Sequence, residues 1–274
     1  MAIVTFWNGT NEQCGTTSSA IALATQVAIE HNIKVLFIST SFNDRIIKDS
    51  FWKEKKKSRF EMFTNSNSAL DNNGVEGLDR IIRSNKVSPE IITDYTQVVL
   101  TGRFEILTGI EDSRGQYDLI KERYSQIIGL AARYYDYVIV DLDNQVGQQT
   151  VVDILKNSDV IVSTVSQRVK KIEELNNLIK KNELLKTNNT IITLVKYMED
   201  TKYNIKNISR NVLKTKDWVN TVPYNSLFFE ASQEASVIDL FLNLTKIRER
   251  DTNYFFIQEI KRLYDTIQHK LSLR

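Results

Sequence analysis

Short apolar runs alternate with longer amphipathic stretches along almost the whole chain. Ala2-Ile3-Val4-Thr5-Phe6-Trp7 is β-branched and aromatic, is too short for a helix, and stops at Asn8-Gly9. It predicts a buried strand. From 16 to 31 the small and apolar residues Ala20, Leu23, Ala24, Val27 and Ala28 recur at helical spacing. A second strand is predicted at 35–38, and further strands at 104–107, 137–140, 160–162, 190–195 and 219–222. Helical patterns lie at 117–135, 169–185, 205–213, 236–242 and 254–271. Strands joined through helices imply right-handed crossovers and a mostly parallel sheet. The strands are apolar throughout, as expected when both faces of the sheet are covered. The predicted fold class is α/β, a three-layer α/β/α arrangement with a mostly parallel central sheet.

Nothing divides the pattern into parts, and 274 residues are read as a single domain, 1–274. The weakest stretch is 53–74, which opens KEKKKSR and continues through NSNSALDNNG. It is expected to be a mobile basic and polar loop, a solvated surface before it is a phosphate-binding one. Across the chain 36 basic against 34 acidic residues leave a net charge of +2. That imbalance gives no ground to expect nucleic acid or an anionic membrane as partner. One cysteine, Cys14, excludes an internal disulfide and fits a reducing compartment. No basic-plus-apolar leader opens the chain and no uncharged apolar run approaches about 18 residues, so a cytoplasmic location is expected. With only two histidines, metal chemistry falls to carboxylates such as Asp141.

Candidate chemistry begins at 8–20. A strand, a glycine-containing turn and a helix opening Thr-Thr-Ser-Ser form the layout of a phosphate-binding loop. Backbone N–H groups at the helix start face an anion, and a hydroxyl in the first turn can hold Mg²⁺. The bare pattern G-x-x-x-x-G-K-[ST] is not met. Five residues separate Gly9 from Gly15, and Thr16 stands where lysine belongs.

The segment NEQCGTTSSAIALA nevertheless resembles the deviant Walker A region of ParA/MinD-type ATPases, K-G-G-x-G-K-[ST]-[ST]. It is more similar still to the CpaE/TadZ pilus-assembly branch, in which G-K-T is often G-T-T. On that pattern Asn11 takes the place of the signature lysine, Glu12 and Gln13 replace two glycines, and Cys14 fills the variable position. Gly15 matches the retained glycine, Thr16 replaces the loop lysine, and Thr17 falls on the Mg²⁺-ligating hydroxyl, followed by Ser18. YYDYVIVDLDNQVG resembles the family's Walker B strand, with Asp141 at the acidic position, and SDVIVSTV resembles the strand that follows. TVPYNSLFFEASQEASVIDLF resembles the I-P-Y-[ND]-x-x-x-x-E-A segment, which places Pro223 and Tyr224 against the adenine. FEILTGI resembles the strand before the long helix in the CpaE branch. Where the family carries an acidic residue after its second strand, this chain has Ser39 and Ser41.

The resemblance implies a P-loop NTPase fold, ATP and Mg²⁺ as cofactors, and a homodimer. Thr16 and Asn11 supply no charge against the roughly four negative charges of ATP, and Glu12 is expected to repel phosphate. Hydrolysis is therefore not expected, and no residue is assigned a catalytic role. Nucleotide binding would rest on backbone N–H donors. The implied role is spatial, marking where a pilus or secretion apparatus assembles. The alternative is an active partition or positioning ATPase of the chromosome, plasmid or MinD kind. Thr17 and Asp141 also have plainer readings, as a helix start and a turn cap. Cys14, at a variable position, reads as inert. Phe256, Ile260, Leu263, Ile267 and Leu271 form an apolar stripe on the last helix, near 252–271. MinD-type proteins use such a helix to touch membrane, although a terminal α/β helix usually packs on its own domain.

Overall fold

In the computed structural model, all residues are described except 11, 44, 54–73, 85–87, 111–112, 187–188, 214–217 and 274. Asn11 and nearly all of the loop expected at 53–74 therefore lie outside the described residues.

The apolar runs become the strands of one eight-stranded sheet: β1 (Ala2–Trp7), β2 (Val35–Ser39), β3 (Gln97–Leu100), β4 (Phe104–Leu107), β5 (Tyr137–Leu142), β6 (Val160–Ser166), β7 (Thr190–Tyr197) and β8 (Val219–Pro223). Their order is β3-β4-β2-β5-β1-β6-β7-β8. Every pairing is parallel except β3 with β4. β3, which the apolar pattern does not pick out, is the antiparallel edge strand, only half-buried to exposed along its length. The central strands β1, β2 and β5 are buried at every position, as an interior parallel sheet requires.

Helices cover both faces. On one, helix α1 (Thr16–Glu30) packs with Val237–Leu244 and the C-terminal helix Tyr254–Ser272 against Val4, Phe6, Phe37 and Ile139. α1 is buried continuously from Ser19 to Ala28, which explains its small residues: alanine, serine and threonine let a helix sit close in a dense core. On the other face Leu36, Val138 and Val140 meet Tyr117, Tyr124, Ile127 and Ile154. The helix expected at 117–135 is two helices, Arg114–Ile120 and Tyr124–Ala131, joined by a tight 3₁₀ turn at Lys121–Arg123. The one expected at 169–185 divides at Asn182 into Val169–Lys181 and Glu183–Lys186. The helix expected at 205–213 keeps its α form only over Ile205–Ile208 and widens into a π-turn at Ser209–Leu213.

Phe256, Ile260, Leu263 and Ile267 of the last helix are all buried in the α1 core, and Lys261 pairs with Glu30 at 2.7 Å. These four positions of the stripe pack on the protein's own sheet, and the fifth, Leu271, is half-buried against the same core. Among the described residues, no helix is long and apolar enough to cross a membrane.

Candidate phosphate-loop site

The C-terminal ends of β1, β2 and β5 meet beneath the loop at 8–15, where ligands gather in open α/β sheets. In register, Asp141 of β5 lies between Ser39 of β2 and Phe6 of β1. The Asn8 side chain shapes the loop. Its Oδ1 accepts from the N–H and the hydroxyl of Thr10 at 2.7 and 2.8 Å. Its Nδ2 donates to the Glu12 carbonyl at 2.7 Å and to Cys14 Sγ at 2.9 Å. Asn144, in the 3₁₀ turn after β5, clamps the loop, donating to the Asn8 carbonyl at 2.9 Å and accepting from Trp7 Nε1 at 2.8 Å. Cys14 is buried within this network, which gives it a structural place.

Gly15 ends the loop in the left-handed region, with φ +108°, and caps α1 with no side-chain hydrogen bond. The first backbone N–H groups of α1 are thus left facing a cavity of about 700 Å³. Its walls include Thr16, Thr17, Ser18, Asp141, Asp143 and Lys196.

Thr17 and Asp141, 124 residues apart in sequence, meet here: Thr17 Oγ1 donates to Asp141 Oδ2 at 2.8 Å. Ser39 Oγ donates to the same oxygen at 3.4 Å, so the serine that replaces an acidic residue still touches the carboxylate. Asp141 is only 3% exposed. Burial pushes its carboxyl up to about 6; neighbouring Asp143 adds to the rise, while the Thr17 and Ser39 hydrogen bonds oppose it. A buried carboxylate facing a cavity with hydroxyls as its side-chain partners is a charge without a counter-charge. Oxygen donors of this kind suit Mg²⁺. Among the described residues no group of three or more His, Cys, Asp or Glu is placed to hold a metal, so the protein side chains alone would give an ion here only part of its ligands.

Thr16, also on the cavity wall, shares a 2.8 Å hydrogen bond between its hydroxyl and that of Thr164 of β6. Glu12, expected to repel phosphate, does line this cavity, with its carboxylate partly engaged by neighbours. Its Oε2 accepts from Ser166 Oγ at 2.7 Å and its Oε1 lies 3.4 Å from Arg168 Nη1, which draws the carboxylate towards β6. Asp143 is a second carboxylate on the cavity wall, held by Ser41 Oγ at 3.2 Å and by the Gln145 N–H at 2.7 Å. The sequence reading passed over it, although the two-residue spacing in Asp141-Leu142-Asp143 pointed to it.

Pro223 and Tyr224 line an adjoining slot with Gly15, Ser18, Phe228 and Phe229. At about 60 Å³ it holds about two waters and is too small for a purine as it stands. Tyr224 and Phe229 are 55% and 57% exposed, so both walls have room to swing outward. Lys196 borders both slot and cavity, and sequence reasoning assigned it no role.

No family model matches the chain and no curated protein matches it. Solved structures do. A ParA family ATPase from Chlorobium tepidum superposes with a TM-score of 0.66 at 14% identity, covering 98% of both chains. The fold is that of the ParA/MinD ATPases. The septum site-determining protein MinD of Pyrococcus horikoshii, solved with Mg-ADP, gives 0.64 at 13% identity over 98% of each chain. A plasmid partition protein of Borrelia burgdorferi bound to AMPPNP gives 0.60 at 17% identity, covering 98% of this chain and 99% of that one. In this ParA/MinD-fold chain the loop and the acidic strand sit side by side at the sheet's C-terminal edge, as β1 and β5.

Proposed function

We propose that this chain is a nucleotide-binding positioning protein on the ParA/MinD fold, in which binding is separated from rapid hydrolysis. It localises and helps to assemble a pilus or secretion apparatus, as the CpaE/TadZ branch does. The observation that carries the reading is the Thr17–Asp141 contact at 2.8 Å, at the mouth of a cavity whose loop has no lysine at position 16. Thr17 Oγ1 and the Asp141 carboxylate would hold Mg²⁺, and the N–H groups at the start of α1 would face the phosphates. Bound Mg-ATP supplies an anion whose presence or absence is the quantity a positioning protein reads. Phosphoryl transfer needs cationic stabilisation of the developing charge, and the Thr16 hydroxyl, tied to Thr164, provides none. The pilus assignment rests on the Gly15-Thr16-Thr17 resemblance. Two copies meeting on the loop face complete the proposal, supported by the exposed side chains of Tyr224, Leu227 and Phe229 beside the loop.

Calorimetric titration with ATP, with and without Mg²⁺, tests this on the wild type, Thr17→Ala and Asp141→Ala. Metal-dependent binding that weakens in both variants, with no turnover above buffer, is expected. ATP binding indifferent to Mg²⁺ and to both substitutions would overturn the metal assignment. Turnover that vanishes in Asp141→Ala would establish the active ATPase instead.

A further inference from the structure

Lys196 is the only cationic side chain among the described residues that line the 700 Å³ cavity, and it also lines the slot beside Pro223 and Tyr224. It stands on β7 at a bulge, where the pairing with β8 shifts between Val195 and Tyr197. Its backbone is left-handed, with φ +50°, unusual for a residue with a side chain. Val195 and Tyr197 on either side are 1% and 2% exposed, whereas Lys196 is exposed. A bulge re-aims one side chain relative to its strand neighbours. Here it lays the lysine across the loop. A Cβ built on Gly15 would meet Lys196 Cε at 3.1 Å, Cγ at 3.6 Å and Cδ at 3.8 Å. The methylene stem therefore rests against Gly15, in a residue that borders both slot and cavity.

That ammonium makes no ion pair among the described residues. The carboxylates on the cavity wall are engaged elsewhere: Glu12 with Ser166 and Arg168, Asp141 with Thr17, and Asp143 with Ser41. One uncommitted positive charge thus belongs to a residue lining the same cavity as the uncapped start of α1. We propose that Lys196 is the phosphate-positioning lysine of this chain. Reaching in from β7, it serves as a counter-charge for binding the polyphosphate of a nucleoside triphosphate, a role distinct from the in-loop cation of phosphoryl transfer that Thr16 leaves out. Lysine suits the task, being a compact point charge with three donors on a flexible stem. This inference rests on the nucleotide-binding reading above.

The test is competition of ATP and of adenosine against a fluorescent ATP analogue, at two ionic strengths, on the wild type, Lys196→Gln, Lys196→Arg and Lys196→Gly. Circular dichroism and thermal melts accompany each variant. Lys196→Gln is expected to weaken ATP about tenfold and to flatten its salt dependence, with adenosine unchanged. Lys196→Arg should restore most of the affinity. Lys196→Gly should melt higher, because glycine accepts the left-handed backbone, yet bind ATP as weakly as Lys196→Gln. A purely structural lysine would not separate stability from affinity in that way. If the wild type binds ATP and Lys196→Gln binds it equally well, the lysine assignment alone falls. Equal losses for ATP and adenosine would place Lys196 on the base and overturn its phosphate role. A wild type that binds no ATP removes the nucleotide reading and this inference together.

Discussion

Replacing Asp141 by asparagine should make the protein more stable and less able to hold metal. The carboxyl is buried, and burial raises it from an ordinary 3.8 to about 6. Well below pH 3.8 it is protonated in the folded and unfolded chains alike, and its burial carries no charge penalty. As pH rises towards 6 the unfolded chain releases the proton while the folded chain still retains it, so stability falls. Above pH about 6 the loss is complete. A gap of about two pKa units corresponds to roughly 3 kcal/mol. Asparagine keeps an oxygen that can accept from Thr17 Oγ1 and carries no charge. Asp141→Asn should therefore approach the wild type near pH 4 and exceed it by up to about 3 kcal/mol at pH 7.5. That is roughly 6–12 °C in melting temperature for a chain of this size. Urea unfolding between pH 4 and 8, with chelator present, measures the difference directly. A variant less stable than the wild type at pH 7.5, or a difference that does not grow with pH, would refute the reasoning.

Two further outcomes follow from the geometry and a third from the proposed function. Gly15→Ala should destabilise by about 1–2 kcal/mol, since alanine must adopt φ +108° and its Cβ presses on Lys196 Cε; the urea midpoint reports it. Asp79, 1% exposed, accepts ion pairs from Arg83 at 2.7 Å and from Arg123, so Asp79→Ala should cost about 2–3 kcal/mol by thermal melt. Sedimentation at micromolar concentration should show a dimer whether or not Mg-ATP is added, with an interface burying upwards of about 1,200 Å². A monomer that dimerises only with ATP would restore a nucleotide-driven switch.

The parallel strands were legible because each is a continuous apolar run, the signature of a sheet covered on both faces. β3 was missed because an antiparallel edge strand is short and half-wet, and Gln97–Leu100 shows little contrast with its surroundings. The break at Lys121–Arg123 was invisible because one tightened turn hardly disturbs the spacing of Tyr117, Tyr124 and Ile128. Thr17 and Asp141 emerged from family resemblance, and β1–β5 pairing brings them into contact. Lys196 could not emerge. In TIITLVKYMED it is an isolated lysine, and its position over Gly15 depends on a bulge and on a sheet order that sets β7 two strands from β1. For Glu12 the sequence shows the charge but not its partners, Ser166 and Arg168, which only the fold brings to it.

The four hydrogen bonds of Asn8 have a consequence for signalling. A glycine-rich loop wraps around whatever anion it receives, and its rearrangement can announce arrival and departure to the rest of the molecule. Here the side chain of Asn8 ties the loop to its own root, and Asn144 ties it to the turn after β5. Those ties restrain how far the loop can rearrange when an anion arrives. On the positioning reading proposed above, such a loop would have little with which to tell a partner the time, and would suit a molecule whose message is a place.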